Sequence, residues 1–387
     1  KTSAVYTTSS LFADVNDGRT VYIKNLRQLE NLSVDMSGFE GNLTDKSGTT
    51  NGDITAIQKN DITMLPSNGL YGFDASSGKI TIYGSGTFSG MYIAANVSYP
   101  LSYDGGSHEI YDLSIAPYSG GSGTEPNAGI FGSVTNTLSV KNLILRNDRI
   151  PENASAKNAG MLLGKTSANL TVDGVLAYYH EDNYNENNDS NVAVTVNQAG
   201  GVAGGLIGLV SGGTLSVKNS AAAVYVKGGS AAGGLIGSAA GAETGSTIVQ
   251  SYAGGHTKDG AYDTEMENNA PKNQGAGRFN VQATQASGYA GGFIGVTTNN
   301  VSMNAVYSTA SAYASSGETN SNSFAGSGTP NIQTTADGKK NYYAIGPHNG
   351  TDASADDTVK AQLAAGEKRA VEFERRVFRR CADECHR

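Results

Sequence analysis

Ala203-Gly204-Gly205-Leu206-Ile207-Gly208 returns 29 residues later as Ala232-Gly233-Gly234-Leu235-Ile236-Gly237. Looser copies stand at Ala128-Gly129-Ile130-Phe131-Gly132, Ala159-Gly160-Met161-Leu162-Leu163-Gly164 and Ala290-Gly291-Gly292-Phe293-Ile294-Gly295. Self-similarity at this period is the signature of a solenoid or a propeller. After each word come a few small residues and a strand-like segment: Thr137-Leu138-Ser139-Val140-Lys141-Asn142, then its counterparts beginning at Asn169, Thr214 and Asn300. Alternation with period two turns Leu138 and Val140 inward, and aligns Val140, Val172, Val217, Ile248 and Met303 in one inner column. The outer column then reads Lys141, Asp173, Lys218, Val249, Asn304.

Composition points the same way. The body is rich in Gly, Ser, Thr, Asn and Val, which favours short strands joined by tight turns. A coil of about thirty residues with two or three short strands is a parallel β-solenoid, and the handedness of parallel crossovers makes it right-handed. A propeller blade needs about forty residues, more than the 29 between the two best words. The glycines of the word then serve close backbone approach at a corner, with Leu206, Leu235 and Phe293 stacked inside. The fold expected is all-β, a right-handed parallel β-solenoid whose N-terminal cap contains a short helix.

Residues 1–76 lack the word and form that cap. Leu26, Leu29 and Leu32 stand three apart behind Asn25, as in a short capped amphipathic helix. Strand-like segments follow at Asp53–Ile57 and Asp61–Leu65. The array is expected over 77–346, its first coils at Lys79–Tyr83 and at His108–Ile115 behind the Gly105-Gly106 turn. Residues 347–366 form an exit segment. A basic tail, 367–387, holds both cysteines, Cys381 and Cys385, and reads as an extension foreign to the array.

The Ala-Gly-Gly-Leu-Ile-Gly word followed by a turn and a strand, clearest at 203–226 and 232–254, resembles the GLUG-motif repeats of bacterial surface β-solenoid proteins. Residues 104–115 and Gln362-Leu363-Ala364-Ala365-Gly366-Glu367 resemble the two ends of such arrays. The resemblance spans roughly 100–366 and implies an extracellular, cell-surface protein of adhesin type. It fixes no activity, because these repeats also occur in protease accessory regions and surface stalks.

Other features bear on function. Residues 1–366 carry 20 Lys or Arg against 30 Asp or Glu, an acidic body that argues against a nucleic-acid partner. No run of eighteen apolar residues exists, so no membrane insertion is expected, and a start at Lys1 without a secretory segment reads as a mature or excised fragment. With both cysteines in the tail, the body relies on packing and backbone pairing, which suits a bacterial surface protein.

Successive words begin 31, 44, 29 and 58 residues apart, so the second and fourth repeats carry extra chain. The extras, His180–Asn191 and His256 to about Ala286, follow the same strand of the coil, as does a third polar stretch, Ala314–Lys340. Loops two coils apart lie about 10 Å from one another and form one elaborated face, the place where binding resides on a rigid scaffold. The first combines Tyr178, Tyr179, His180, Glu181, Asp182, Tyr184, Asn185 and Glu186. Tyrosine platforms beside amides and acids suit a host or matrix glycan or protein. Carboxylates with amide carbonyls would also suit Ca²⁺, but the spacing of a calcium loop is missing, so neither a metal nor another cofactor is expected. The bland reading of the same loop is a solvated polar excursion.

Catalysis is not expected. His108, His180, His256 and His348 stand alone, and the Gly-rich words lack the Lys-Ser/Thr ending of a phosphate loop. A β-helix polysaccharide lyase or hydrolase needs converging carboxylates on the outer strands, whereas the outer column places one acid between two lysines. Two alternatives to the adhesin stay open: that enzyme, with acids supplied by loops, and a self-associating filament or surface-layer subunit.

Overall fold

The computed structural model describes residues 13–16, 20–33, 54–63, 71–74, 79–82, 92–117, 125–151, 154–178, 193–254, 280–315, 320–333 and 342–344. Within them the chain is all-β apart from one short helix, and nearly all strand pairing is parallel between successive repeats. The coil that starts at the best word shows the plan. Val202–Gly204, Ile207–Val210, Leu215–Lys218, Ala221–Ala223 and Val226–Gly228 are its five strands, against the two or three expected. Each lies on the equivalent strand of the coil before it and under that of the coil after it.

The register is that of the sequence alignment. Ala128, Ala159, Ala203, Ala232 and Ala290 are successive partners, so the chain keeps phase across gaps of very different length. Val140, Val172, Val217, Ile248 and Met303 form one column, every member fully buried. Leu206, Leu235 and Phe293 are buried as well, and Phe293 stacks on Phe324 of the next coil with ring centroids 5.1 Å apart.

The glycines of the word are close-approach residues rather than left-handed ones. A Cβ on Gly160 would lie 2.6 Å from the Gly208 nitrogen and 2.7 Å from the carbonyl oxygens of Leu163 and Leu206. Two backbone segments therefore cross where only a hydrogen fits. Left-handed geometry recurs in every repeat at a different corner, where Leu215–Lys218 bends into Ala221–Ala223. There Asn142, Gly174, Asn219, Gln250 and Ala305 of successive coils all take φ between 49° and 68°.

At the N-terminal end, Leu26–Glu30 is the expected helix. Asn25 Oδ1 accepts from the Gln28 N–H at 3.0 Å and Gln28 Oε1 from the Lys24 N–H at 2.7 Å, a reciprocal cap. Leu26, Leu29 and Leu32 are buried. The following turn, Asn31–Ser33, packs on Ala95–Val97, the first strand of its sheet, and the Tyr99 hydroxyl donates to Leu32 O at 2.7 Å.

Three expectations need correction or refinement. Lys79–Ile82 is not a first coil; it pairs antiparallel with Tyr71–Asp74 in a separate two-stranded sheet, because the chain turns back locally instead of crossing over. The longest sheet starts before the expected boundary at 76/77, since Thr20–Ile23 and Ile54–Gln58 stack in parallel register beneath Leu101–Asp104. Within the stretch Ala314–Lys340, expected as an insertion, the described residues form a further coil, with Ser321–Asn322, Ala325–Ser327 and Asn331–Ile332 each paired to the coil before. Residues 345–387, with the exit segment's and tail's motifs, lie outside the described residues.

Two substitutions test this packing. Val217→Asp would bury an unpaired charge in the inner column and should abolish cooperative thermal unfolding. Gly233→Ala would press a methyl group against the Ile236 carbonyl and the Gly295 nitrogen, and chemical denaturation should show a loss of about 1–3 kcal/mol.

Candidate functional site

The outer surface of the longest sheet has two arms joined at the left-handed corner. On the first arm the outer column, Asp104, Lys141, Asp173 and Lys218, is in direct register. Lys141 Nζ lies 3.2 Å from Asp104 Oδ2 and Lys218 Nζ 3.1 Å from Asp173 Oδ2. The corner asparagines complete each pair: Asn142 Nδ2 donates to Asp104 Oδ1 at 3.2 Å and Asn219 Nδ2 to Asp173 Oδ1 at 2.8 Å. Two copies of one Asp–Lys–Asn cluster thus tie neighbouring coils. Partial burial pushes the Asp104 carboxyl up, but the Gly106 N–H, the Asn142 amide and Lys141 outweigh it and hold its pKa below the ordinary value. Charges paired in this way provide no acid–acid constellation for glycoside chemistry.

Beyond the corner, the second arm presents a different outer face. Its successive levels carry Glu109 and Tyr111, Ile144 and Arg146, Leu176 and Tyr178, Ala221 and Ala223, then Tyr252, then Tyr307 and Thr309. Arg146 lies over the Tyr111 ring, 4.4 Å from its centroid, and donates to Glu109 at 2.8 Å. Tyr178 is the register partner of Arg146 on the other side. The guanidinium therefore stands between two tyrosine positions with its charge met by Glu109, an arrangement that fixes the strand end. Further along, the Tyr252 and Tyr307 rings are 4.6 Å apart, and the hydroxyls of Tyr252 and Thr309 are 2.7 Å apart. Between the aromatic ends lies a low step of Ala221 and Ala223, of which Ala223 is part-exposed while Ala221 and the bounding Tyr252 are buried.

The two insertions flank that step. One leaves after Tyr178 and returns at Val194–Thr195; the other leaves after Tyr252–Ala253 and returns at Val281–Ala283. The intervening coil closes the same corner with Val224 and Tyr225 alone. Both departures are in register with Ala222 and Ala223, and both returns with Val226. Of the residues expected to bind, Tyr178 ends its strand on this face, and Tyr179, His180, Glu181, Asp182, Tyr184, Asn185 and Glu186 lie outside the described residues. The expected extent of the second insertion, to about Ala286, is too long, because Val281–Ala283 is already the next strand.

Sequence reading stopped at the corner asparagine and so missed Glu109, Tyr111, Arg146, Tyr252, Tyr307 and Thr309. The available signal was the repeat alignment carried four residues further, where Ile144, Leu176, Ala221, Tyr252 and Tyr307 share a column. His108 is held at 3.2 Å by Asp61, whose Oδ1 also accepts from the Glu109 N–H, an exposed bridge between coils. Among the described residues no three His, Cys, Asp or Glu side chains gather as a metal site requires, and no helix is long and apolar enough to cross a membrane.

Because the folded pKa of Asp104 lies below its unfolded value, its stabilising effect is complete above the unfolded value, about 3.9. It is lost as pH falls through the folded value. Urea titrations should therefore find Asp104→Asn less stable by about 0.2–1 kcal/mol at neutral pH, with the deficit vanishing in acid.

Comparison with known proteins adds little. No protein-family model matches the chain, and no curated protein matches it. A solved structure of a "putative immunoglobulin A1 protease" from Bacteroides ovatus aligns over 89% of this chain and 83% of its own, at 16% identity and a TM-score of 0.37. A likeness of that size bears on neither fold nor activity.

Proposed function

We propose that the stack is a right-handed parallel β-solenoid of the GLUG-repeat kind, displayed on a bacterial cell surface, and that it binds a host or matrix glycan or protein through loops on one face. The observation that carries this reading is the shared corner. Two long excursions leave the second arm at equivalent positions two coils apart, and between them lies the step of Ala221 and Ala223, bounded by Tyr178 and Tyr252. Variable loops on a rigid repeat scaffold are where such proteins recognise partners. Tyr252 and Ala221 are buried, so part-exposed Tyr178 beside Ala223 supplies the surface that suits the flat apolar face of a sugar ring.

The rival readings have less support. A head-to-tail filament needs both ends of the stack open, but the helix Leu26–Glu30 and the antiparallel strand Ala13–Asn16 occupy the N-terminal end. A lyase or hydrolase needs converging acids, and the first arm alternates Asp with Lys.

Replacing residues 179–193, the stretch that corresponds to Val224-Tyr225 in the uninserted coil, by those two residues tests the reading, with binding scored on arrays of glycans and matrix proteins. Binding should disappear while the melting temperature stays within about 3 °C of the parent, since a coil closes without the excursion. Binding that survives the deletion would refute the loop-face reading.

A further inference from the structure

Asp148 is the one described carboxylate that is completely buried, and it occupies an unusual position. It follows Asn147, which takes a left-handed turn at φ 56° above the matching turn of Asp112 at φ 58°. Its Oδ1 accepts the Leu113 N–H at 2.9 Å, standing in for the backbone carbonyl that would otherwise continue the ladder there. Its Oδ2 is buried and meets no hydrogen-bond donor. Around it the backbone pairing is regular: the Arg149 N–H donates to Leu113 O and the Ile115 N–H to Arg149 O, both at 2.8 Å.

The residues on either side of Asp148 hold the two feet of the first excursion. The Asn147 N–H donates to Tyr178 O at 2.9 Å, where the chain leaves the stack, and the Ile150 N–H donates to Ala193 O at 2.7 Å, where it returns. The corner therefore pins both feet from one side, while on the other side Tyr178 pairs with Ala223 and the Ala193 and Val194 N–H groups donate to Tyr225 O at 3.1 and 3.0 Å; a buried carboxyl sits in the middle of that corner.

We propose that Asp148 is a proton-operated latch: carrying its proton, it keeps the corner 147–150 closed and both feet of the excursion pinned, and releasing that proton to solvent loosens the corner. The physical basis is that an ionised carboxylate would have to stay buried with one donor and an oxygen facing none. Burial raises its pKa well above the ordinary value, and the Leu113 N–H does not offset it. The charged groups nearby agree. Asp112 and Glu109, from the coil beneath, disfavour a second negative charge, while Arg146, at the end of the strand two residues before it, favours it. Arg146 is bonded to Glu109 at 2.8 Å and also faces exposed Asp112, so its one positive charge is shared between those two carboxylates before it reaches Asp148. The Tyr92 hydroxyl on the strand below donates elsewhere, to Ile130 O at 2.9 Å. Because the closed form binds a proton that the open form gives up, closure weakens as pH rises from the ordinary carboxylate value to that of Asp148. The consequence for ligand binding rests on the loop-face reading above; the latch itself does not.

The test reads protons and amides, not ligand. In the full chain labelled with ¹³C-aspartate, the carboxyl carbon of Asp148, assigned by its disappearance in Asp148→Asn, should titrate above the ordinary carboxylate range. Exchange of the Leu113, Asn147 and Ile150 amides, referenced to the Val140 and Val217 amides of the same molecule, should accelerate about tenfold per pH unit up to that midpoint and then level off. Asp148→Asn, which is neutral at every pH, should show no such rise. A midpoint in the ordinary range would overturn the proposal. So would a raised midpoint with the three amides keeping a constant ratio to the references, an outcome readable in the parent chain even where the variant fails to fold.

Discussion

Where the Ala-Gly-Gly corners of neighbouring coils cross, there is room for a hydrogen atom and not for a methyl group. A Cβ on Gly233 would meet the Gly295 nitrogen at 2.6 Å, and one on Gly160 would meet that of Gly208 at the same distance. This contact sets the spacing of the stack at its tightest point and fixes which residue lies over which. Once the corners are in phase, the Val140 column and the outer Asp–Lys column follow, because a strand slipped by one residue would exchange them. Apolar burial then supplies the driving force in a chain whose described core has no disulfide and little helix.

The same constraint explains why the scaffold tolerates excursions. Coil-to-coil pairing is made within each sheet, so chain added between two sheets need not disturb either. The coil bent by Val224 and Tyr225 and the coils carrying long insertions present the same strands in the same register. Loop closure grows only slowly with length, so such sites can accumulate sequence at little cost to the stack. Surface charge contributes locally by comparison. The Asp104–Lys141 and Asp173–Lys218 pairs are half exposed, and with their asparagines they reinforce register rather than create it.

Much of this was legible in the sequence. The word gave the repeat, period-two alternation gave the inner and outer columns, and Leu26, Leu29 and Leu32 behind Asn25 gave the capping helix. What escaped has physical reasons. The last described coil reads Ser321-Asn322-Ser323-Phe324-Ala325-Gly326 where earlier coils have Ala-Gly-Gly; Asn322 Oδ1 accepts from the Phe324 N–H at 2.9 Å, and no described strand stacks beyond it to demand glycine. Lys79–Ile82 alternates like a stacking strand, but alternation does not say whether its partner is the next coil or a local hairpin. The second arm was lost because its corner is held by Asn, Gly, Gln or Ala in a left-handed turn, with no single residue type to mark it. Asp148 carries no sequence signal at all, since its burial depends on pairing between coils 35 residues apart.

The central claim is that the repeats stack one above another at a constant rise, whatever length of chain separates them. Spin labels on the outward positions Ser139, Thr171, Ser216, Thr247 and Ser302, with Cys381 and Cys385 replaced by serine, measure that rise by pulsed electron resonance. The Cα separations should grow by about 4.8 Å per coil, reaching about 19 Å between Ser139 and Ser302, regardless of the residues intervening. Distances that instead follow sequence separation, or that return toward the start as in a closed ring of blades, would contradict the stack.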